Sequence, residues 1–520
     1  MLNVERWDSE IRRLMDKYGM VGLSVAVTDR ERTLWQQGYG VTSIEKPWDT
    51  VTPQTLFRIA SCTKMTLGAV VMQLSEQGLL SLDAPITDYV PWLRFKDGEA
   101  PASMTLRRLL SHTAGMPSEY TPDGTRDESQ TEEILRQELL EAERIGAPED
   151  GLYHYSNLGV RLAACAVQRV LGMPFSEIDR KYILDPLGMN GSTFDLCEAA
   201  IRSLAIPHKS RDEVLHDIPV NAARHAVGGL FSNVEDMSKF ARMLLNRGAP
   251  LLSEKSWQQM MTMEADHWTE QQAGYGITML LKKYKDVQLA GHTGSSPPYY
   301  ACIWTAPEQG YAVCVTVNTE GGNILTRGKI PELIFDDLLT PGKPDIPERC
   351  AFSPEAEQRQ TGTYFGEAEG LIRLAMEDGK PILHLRDGAY PLIPGVRAGV
   401  YTFMKNGVKS CVGLPALRGG SRNHLELNAS LYRRVEVQAA PTAEQLRQFA
   451  GSYGTVLERF TVKADESGLT LERRGADRTY PCTYVCGSSF TSDLGEVTFL
   501  LRQGAVTGLR VGSSVVHNRI

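Results

Sequence analysis

Ser61 stands three residues before Lys64 in the stretch Arg58-Ile-Ala-Ser-Cys-Thr-Lys-Met-Thr66. A serine hydroxyl becomes a useful nucleophile when a base can take its proton. Residues at i and i+3 share a helix face, so Lys64 can reach the Ser61 hydroxyl from within one turn. Lysine ordinarily titrates near ~10.4 and serves as a base only where burial or nearby cations lower that value. The same letters also suit an N-capping serine beside a solvated lysine. Context separates this pair from the other Ser-x-x-Lys, Ser43-Ile-Glu-Lys46, which precedes Pro47 in a polar loop. Ser61 follows the strand-like Thr55-Leu-Phe-Arg-Ile-Ala60 and opens the long apolar run 65–80. A helix N-terminus at that point would supply free N–H groups and the positive end of a dipole.

Two further stretches could join it. In His154-Tyr-Ser-Asn157, Tyr155 and Asn157 can project together from a tight loop. Tyr155 could pass a proton between the Ser61 hydroxyl and a leaving group, and Asn157 could hydrogen-bond Lys64 or a substrate amide. A core tyrosine with a loop-capping asparagine is the alternative. In Gly291-His-Thr-Gly-Ser295 the residues precede the strand-like run 300–306. This segment could be an edge strand whose backbone pairs with an extended substrate. The N–H of Ser295, with that of Ser61, would then form an oxyanion hole. A turn with a surface histidine is the alternative. His112 and His154 read as structural, with His154 a candidate supporting group, and Cys62 reads as a buried small residue.

These stretches need a scaffold. Periodicity predicts a helix over 4–18, strands over 22–28 and 33–41, and helices over 65–80, 104–117 and 159–172. Strands return at 275–281, 300–306 and 311–318. Strands, a helical insertion and strands again predict an α+β layer with a helical lobe. Prolines 341, 344 and 347 mark a linker over 338–348. Beyond it, residues 362–389 resemble residues 451–476, each copy opening on Gly-x-Tyr and running strand, acidic turn, strand. That repeat predicts two small antiparallel β-barrels of lipocalin type, separated near 439–445. The expected domains are 1–342, 356–438 and 441–520.

Composition narrows the class. The 520 residues carry a net charge of −8 and a pI of about 5.8. That argues against a nucleic-acid groove or a polybasic membrane patch. No window approaches a membrane span, and the first twenty residues lack an apolar core, so a cytoplasmic location is expected. Nine scattered cysteines without Cys-x-x-Cys pairs read as reduced thiols. There is no Gly-x-Ser-x-Gly, no His-Glu-x-x-His, no P-loop and no Gly-x-Gly-x-x-Gly. No metal or cofactor is expected.

Ser-x-x-Lys, Tyr-x-Asn and His-Thr-Gly, in this order, resemble the penicillin-recognising serine hydrolases, in the branch of class C β-lactamases and D,D-peptidases. Stretches 55–64, 104–117, 183–194, 226–244 and 275–279 share the resemblance, which covers roughly residues 5–340. It implies an antiparallel sheet flanked by helices, joined to an all-helical lobe, with Ser61 at the seam. True β-lactamases usually carry Lys-Thr-Gly. His292-Thr-Gly294 looks more like the D-peptidase and D-aminopeptidase members, and two terminal barrels resemble the three-domain plan of bacterial D-aminopeptidases. The implied activity is hydrolysis, through a serine ester, of peptides, amides or esters containing D-amino acids. The implied roles are Ser61 as nucleophile, Lys64 with Tyr155 as base, and His292 as a donor or partial positive charge. Asn157, Thr293, Gly294 and Ser295 would bind substrate. An esterase, a β-lactamase-like hydrolase, a peptide acyltransferase or cyclase, and a non-catalytic binder of peptides or β-lactams stay open on the same scaffold. Loops from one barrel could reach over the cleft and restrict substrate size, or the barrels could be only stabilising or dimer-forming appendages, and a second copy of the chain is a candidate partner.

Overall fold

Gly22–Thr28 alternates Leu23, Val25 and Val27 with Ser24 and Ala26, a pattern that offers an apolar side chain to both faces of a sheet. The computed structural model describes residues 2–118, 125–270, 272–341, 349–350, 360–366, 368–415, 421–454, 458–476, 478–502, 504–512 and 516–520. In it this segment is strand β1 of an eight-stranded antiparallel sheet. The others are β2 (Thr33–Gly40), β3 (Ala265–Asp266), β4 (Gly274–Tyr275), β5 (Leu280–Tyr284), β6 (Val287–Ser296), β7 (Tyr299–Ala306) and β8 (Tyr311–Val317). Their order is β2-β1-β8-β7-β6-β5-β4-β3.

Five helices frame the site: α1 (Val4–Tyr18), α2 (Lys64–Glu76), α3 (Asn157–Leu171), α4 (Val234–Leu245) and α5 (Ile330–Leu338). Leu23, Val25, Val27, Val313, Val315 and Val317 pack with Trp7 and Ile11 of α1 and Ile334 and Phe335 of α5. On the other face Ala26, Ala312 and Cys314 join Met237 and Ala241 of α4 and the residues of the helical lobe. Small residues on that face let helices sit close to the sheet. Helix α2 runs through the lobe with Leu67, Val70, Val71 and Leu74 all fully buried. Leu67→Ala would therefore cost about 2–5 kcal/mol. The helix ends where Gly78 adopts φ +71, a left-handed conformation glycine takes without steric penalty.

Two expected elements are shorter than their apolar pattern. The helix predicted over 104–117 spans Leu106–Leu110, because His112 and Gly115 turn to positive φ, +61 and +67. The strand predicted over 275–281 is broken between β4 and β5, where Thr278 takes φ +57.

The C-terminal part holds the two expected barrels. The first is a nine-stranded antiparallel sheet between Gly362 and Arg434. It is nearly closed: its two outermost strands, Gly388–Pro391 and Ile393–Pro394, are consecutive in the chain but share no ladder. Pro391 and Pro394 have no N–H to donate there. The second is a closed barrel of eight strands between Gly451 and Arg519. The Gly-x-Tyr repeat has a structural meaning. The hydroxyl of Tyr364 donates to the Gln360 carbonyl at 2.6 Å, and that of Tyr453 to the Phe449 carbonyl at 2.7 Å. A final-strand arginine, Arg434 or Arg519, covers each ring at 5.0 and 5.9 Å. Residues 342–348 of the expected linker lie outside the described residues. No single helix among the described residues is long and apolar enough to cross a membrane, and all nine cysteines are free.

Candidate active site

Ser61 lies in a short 3₁₀ turn, Ala60–Thr63, that runs directly into α2. Ala60 takes φ +47, a conformation uncommon outside glycine and held by its surroundings. The turn is pinned by the Thr63 hydroxyl on the Ala60 carbonyl at 2.7 Å and by the Ile59 N–H on the Leu230 carbonyl at 3.0 Å. Ser61 is half-buried at the mouth of the site, while Lys64 is fully buried. Lys64 Nζ stands 3.0 Å from Ser61 Oγ and 2.7 Å from the Val227 carbonyl. Val227 sits in a turn whose His225 Nδ1 meets Glu128 at 2.8 Å. The other Ser-x-x-Lys has no such setting. Ser43 Oγ accepts from the Glu45 N–H in a turn, and Lys46 is exposed.

Tyr155 and Asn157 come from the entry to α3. Ser156 caps that helix, its Oγ accepting from Gly159 N–H at 2.8 Å and donating to the Pro117 carbonyl at 2.5 Å. The cap sends Tyr155 towards Lys64, whose Nζ lies 5.1 Å from the tyrosine ring centre. Asn157 is the first residue of α3 and its N–H donates to the Ser118 carbonyl at 2.8 Å. His154 Nε2 lies 2.8 Å from Ser118 Oγ, which ties down the preceding residue.

His292, Thr293, Gly294 and Ser295 occupy the end of β6. There β6 pairs with β7 from Ala290 to Ser296, but its pairing with β5 ends at Gly291. Residues 292–296 therefore form a local edge on the side away from β7, as the sequence suggested. Gly294 brings that edge against the Ile59 carbonyl and the Ala60 side chain.

His292 departs from its expected role. Its Nδ1 lies 2.6 Å from the Thr293 carbonyl, which only accepts, so Nδ1 carries the proton. Its Nε2 then accepts from the Tyr275 hydroxyl at 2.7 Å. Burial, and after it the Lys64 charge, push the imidazole down to about 3. His292 is therefore neutral, with both ring nitrogens spent inside the protein, and the expected partial positive charge is absent.

Sequence reasoning passed over two residues. His112 reads as an ordinary core histidine, yet its ring lies 4.3 Å from that of Tyr155 and 4.6 Å from that of Tyr275. Its carbonyl accepts from His154 N–H at 2.9 Å and its Nδ1 from Ser156 N–H at 3.1 Å. It grips the chain on both sides of Tyr155. Burial, with Lys64 next, holds it well below the usual histidine range, so it too is neutral. Tyr275 ties His112 to His292. The Ser-His-Thr-Ala-Gly stretch 111–115 was visible, but nothing in its spacing tells that it meets residues 154–156.

A buried lysine on a serine, a tyrosine beside it and an open strand edge form the parts of an acyl-transfer site. The beta-lactamase family profile matches residues 7–330. A penicillin-binding protein 4 of Amycolatopsis lactamdurans is 28% identical over 349 residues, covering 62% of this chain and 86% of that protein. An unguisins hydrolase of Aspergillus campestris is 26% identical over 341 residues, 59% of this chain, which spans 60% of that relative's length. Among solved structures, SurE with D-Leu superposes with a TM-score of 0.62 at 20% identity, covering 83% of this chain and all of that one (100%). At that identity the likeness speaks for the fold. The profile spans more than half of the sequence and contains Ser61, Lys64, Tyr155 and His292, and on that basis the chain belongs to the beta-lactamase family.

Proposed function

We propose that the protein is a serine hydrolase that acts through an acyl-enzyme on small peptides, amides or esters containing D-amino acids. The observation that carries this reading is the 3.0 Å approach of a fully buried Lys64 Nζ to Ser61 Oγ. Ser61 attacks the carbonyl carbon as Lys64, with Tyr155, accepts its proton. The N–H groups of Ser61 and Ser295 receive the developing oxyanion. Tyr155 returns a proton to the leaving group, the C–N or C–O bond breaks, and water then attacks the Ser61 ester to release the acid. Asn157 and Thr293 orient the substrate along the open edge of β6.

The neutral His292 supports a peptidase over a β-lactam hydrolase, because it offers no cation to a substrate carboxylate. D-stereoselectivity is supported by the resemblance of the third motif to D-peptidases and by the likeness to a fold solved with D-Leu. A homodimer belongs to the same proposal and is read by light scattering.

The test is a panel of paired D- and L-aminoacyl p-nitroanilides and matched p-nitrophenyl esters, with Ser61→Ala as blank. A D-over-L preference on the anilides that vanishes in the blank supports the reading. Turnover of esters alone moves it to an esterase, and equal D and L rates remove the stereochemical part.

A further inference from the structure

The turn His225–Gly229 runs alongside the residues that present the nucleophile. Its Val227 carbonyl accepts from Lys64 Nζ at 2.7 Å. A Cβ on its Gly228 would stand 3.4 Å from both Cα and C of Ala60, so the backbone before Ser61 lies next to this turn. One residue beyond the turn, the Leu230 carbonyl accepts from Ile59 N–H at 3.0 Å. Where the turn stands therefore decides where the acceptor for Lys64 stands.

The two ends of the turn are held differently. After it, Phe231 exchanges both backbone hydrogen bonds with Thr193, at 2.8 and 2.9 Å, and pairs with Arg58. Before it, the chain is tied to the helical lobe at residues 125–128. Ala222 N–H donates to the Thr125 carbonyl at 2.7 Å, and His225 Nδ1 meets Glu128 Oε1 at 2.8 Å. A carboxylate only accepts, so Nδ1 is the donor, and a hydrogen bond to a charged group is stronger than a neutral one. The other oxygen of Glu128 accepts from Ser176 N–H at 3.3 Å, which fixes the carboxylate in turn. The His225 ring is only 8% exposed. It folds back over its own turn: a Cβ on Gly229 would come within 2.8 Å of Cδ2. The Phe194 ring lies 5.1 Å away. The imidazole thus clamps the turn, bonded to Glu128 through Nδ1 and packed on the bare Gly229 through Cδ2.

We propose that His225, held by Glu128, is a positioning residue for Lys64, acting through the Val227 carbonyl. The inference rests on the functional reading above, in which Lys64 takes the Ser61 proton. Lys64 Nζ is aimed by the Val227 carbonyl at 2.7 Å while it faces Ser61 Oγ at 3.0 Å. A turn freed at its His225 end lets that carbonyl drift, and a misplacement of about 1 Å is enough to cost about 10²-fold in rate.

The test measures kcat and KM of His225→Ala, His225→Leu, His225→Asn and Glu128→Ala on the substrate of the panel that the enzyme turns over fastest, with Ser61→Ala as blank. Melting curves confirm that each variant is folded. The expected result is a kcat lowered about 10- to 100-fold in His225→Ala and in Glu128→Ala, at nearly unchanged KM. Glu128→Ala leaves the turn's own sequence intact and carries the test should His225→Ala fail to fold. His225→Leu keeps bulk without the donor and stays as slow as His225→Ala. His225→Asn places an amide donor near the position of Nδ1 and restores kcat to within about fivefold. In a His225→Ala background, Glu128→Ala costs less than about threefold, because the two act as one unit. Wild-type kcat in a folded His225→Ala or Glu128→Ala, an Asn variant no faster than Leu, or full additivity of the two Ala variants would overturn the inference alone. Turnover that survives Ser61→Ala, or a wild-type enzyme silent on the whole panel, would overturn the functional reading and this inference with it.

Discussion

Gly294 of β6 faces the Ile59 carbonyl so closely that a Cβ on it would lie 2.0 Å from the oxygen and 2.9 Å from the carbon. Both neighbours are backbone, so neither can swing aside. The bare glycine lets the strand edge approach the turn that presents Ser61, and it sets the spacing between the two N–H groups proposed for the oxyanion. Gly294→Ala is expected to keep the fold and to lower kcat about 10²- to 10³-fold, the scale of losing one oxyanion donor. Circular dichroism with steady-state rates checks this. A folded variant of wild-type rate would separate β6 from the chemistry.

His112 grips the peptide on either side of Tyr155 and holds φ +61. His112→Ala removes the acceptor for Ser156 N–H and opens a void beneath Tyr155. A loss of about 2–4 kcal/mol in urea unfolding is expected, together with a fall in kcat. His112→Asn keeps a short acceptor and tolerates left-handed φ, so its kcat should lie well above that of the Ala variant. Equal rates for Ala and Asn would limit His112 to packing.

The imidazole of His292 is fully enclosed and pushed down to about 3. Its folded value lies below its unfolded one of about 6.5, so the stability it contributes is complete above about pH 6.5. That stability is lost as pH falls from about 6.5 towards 3. Histidine-selective NMR should show a His292 ring that stays neutral from pH 8 to 5, protonated on Nδ1. A midpoint near 6.5 would return the positive charge to the site.

Asp179 lies fully buried beneath α2 with neither carboxyl oxygen paired among the described residues. The Thr66 hydroxyl opposite is spent on the Thr63 carbonyl at 2.8 Å. Burial pushes Asp179 up to about 7. A carboxyl raised above its unfolded value of about 3.9 favours the fold at low pH and loses that contribution as pH rises from about 4 to 7. Asp179→Asn should therefore be nearly neutral at pH 4 and stabilising by up to about 4 kcal/mol at pH 8, read by urea unfolding at both values. No difference between the two would mean that the carboxyl is already paired or solvated.

Much of this was readable from the letters. Local periodicity gave α1 and β1 over the residues the structure assigns to them. Three spaced motifs named Ser61, Lys64, Tyr155 and His292, which the fold brings to one site, and a repeated Gly-x-Tyr foretold two barrels. What escaped depends on contacts between distant segments. The state of His292 follows from the Tyr275 hydroxyl and complete burial, neither of which a motif encodes. His112 meets residues 154–156 only after folding. Thr278 and His112 cut apolar runs short by turning to positive φ, which hydrophobic pattern does not record. His225 and Glu128 stand 97 residues apart in the sequence and meet only at the turn that holds Lys64.

The central claim is that Ser61 forms the covalent intermediate. Its most direct measurement is intact mass of the protein quenched in acid after mixing with a D-aminoacyl p-nitrophenyl ester, followed by peptide mapping. The account predicts a mass increase equal to the D-aminoacyl group, located on Ser61, absent in Ser61→Ala and decaying at the rate of turnover. A label found elsewhere, or turnover without any Ser61 adduct in the wild-type protein and unchanged in Ser61→Ala, would contradict it.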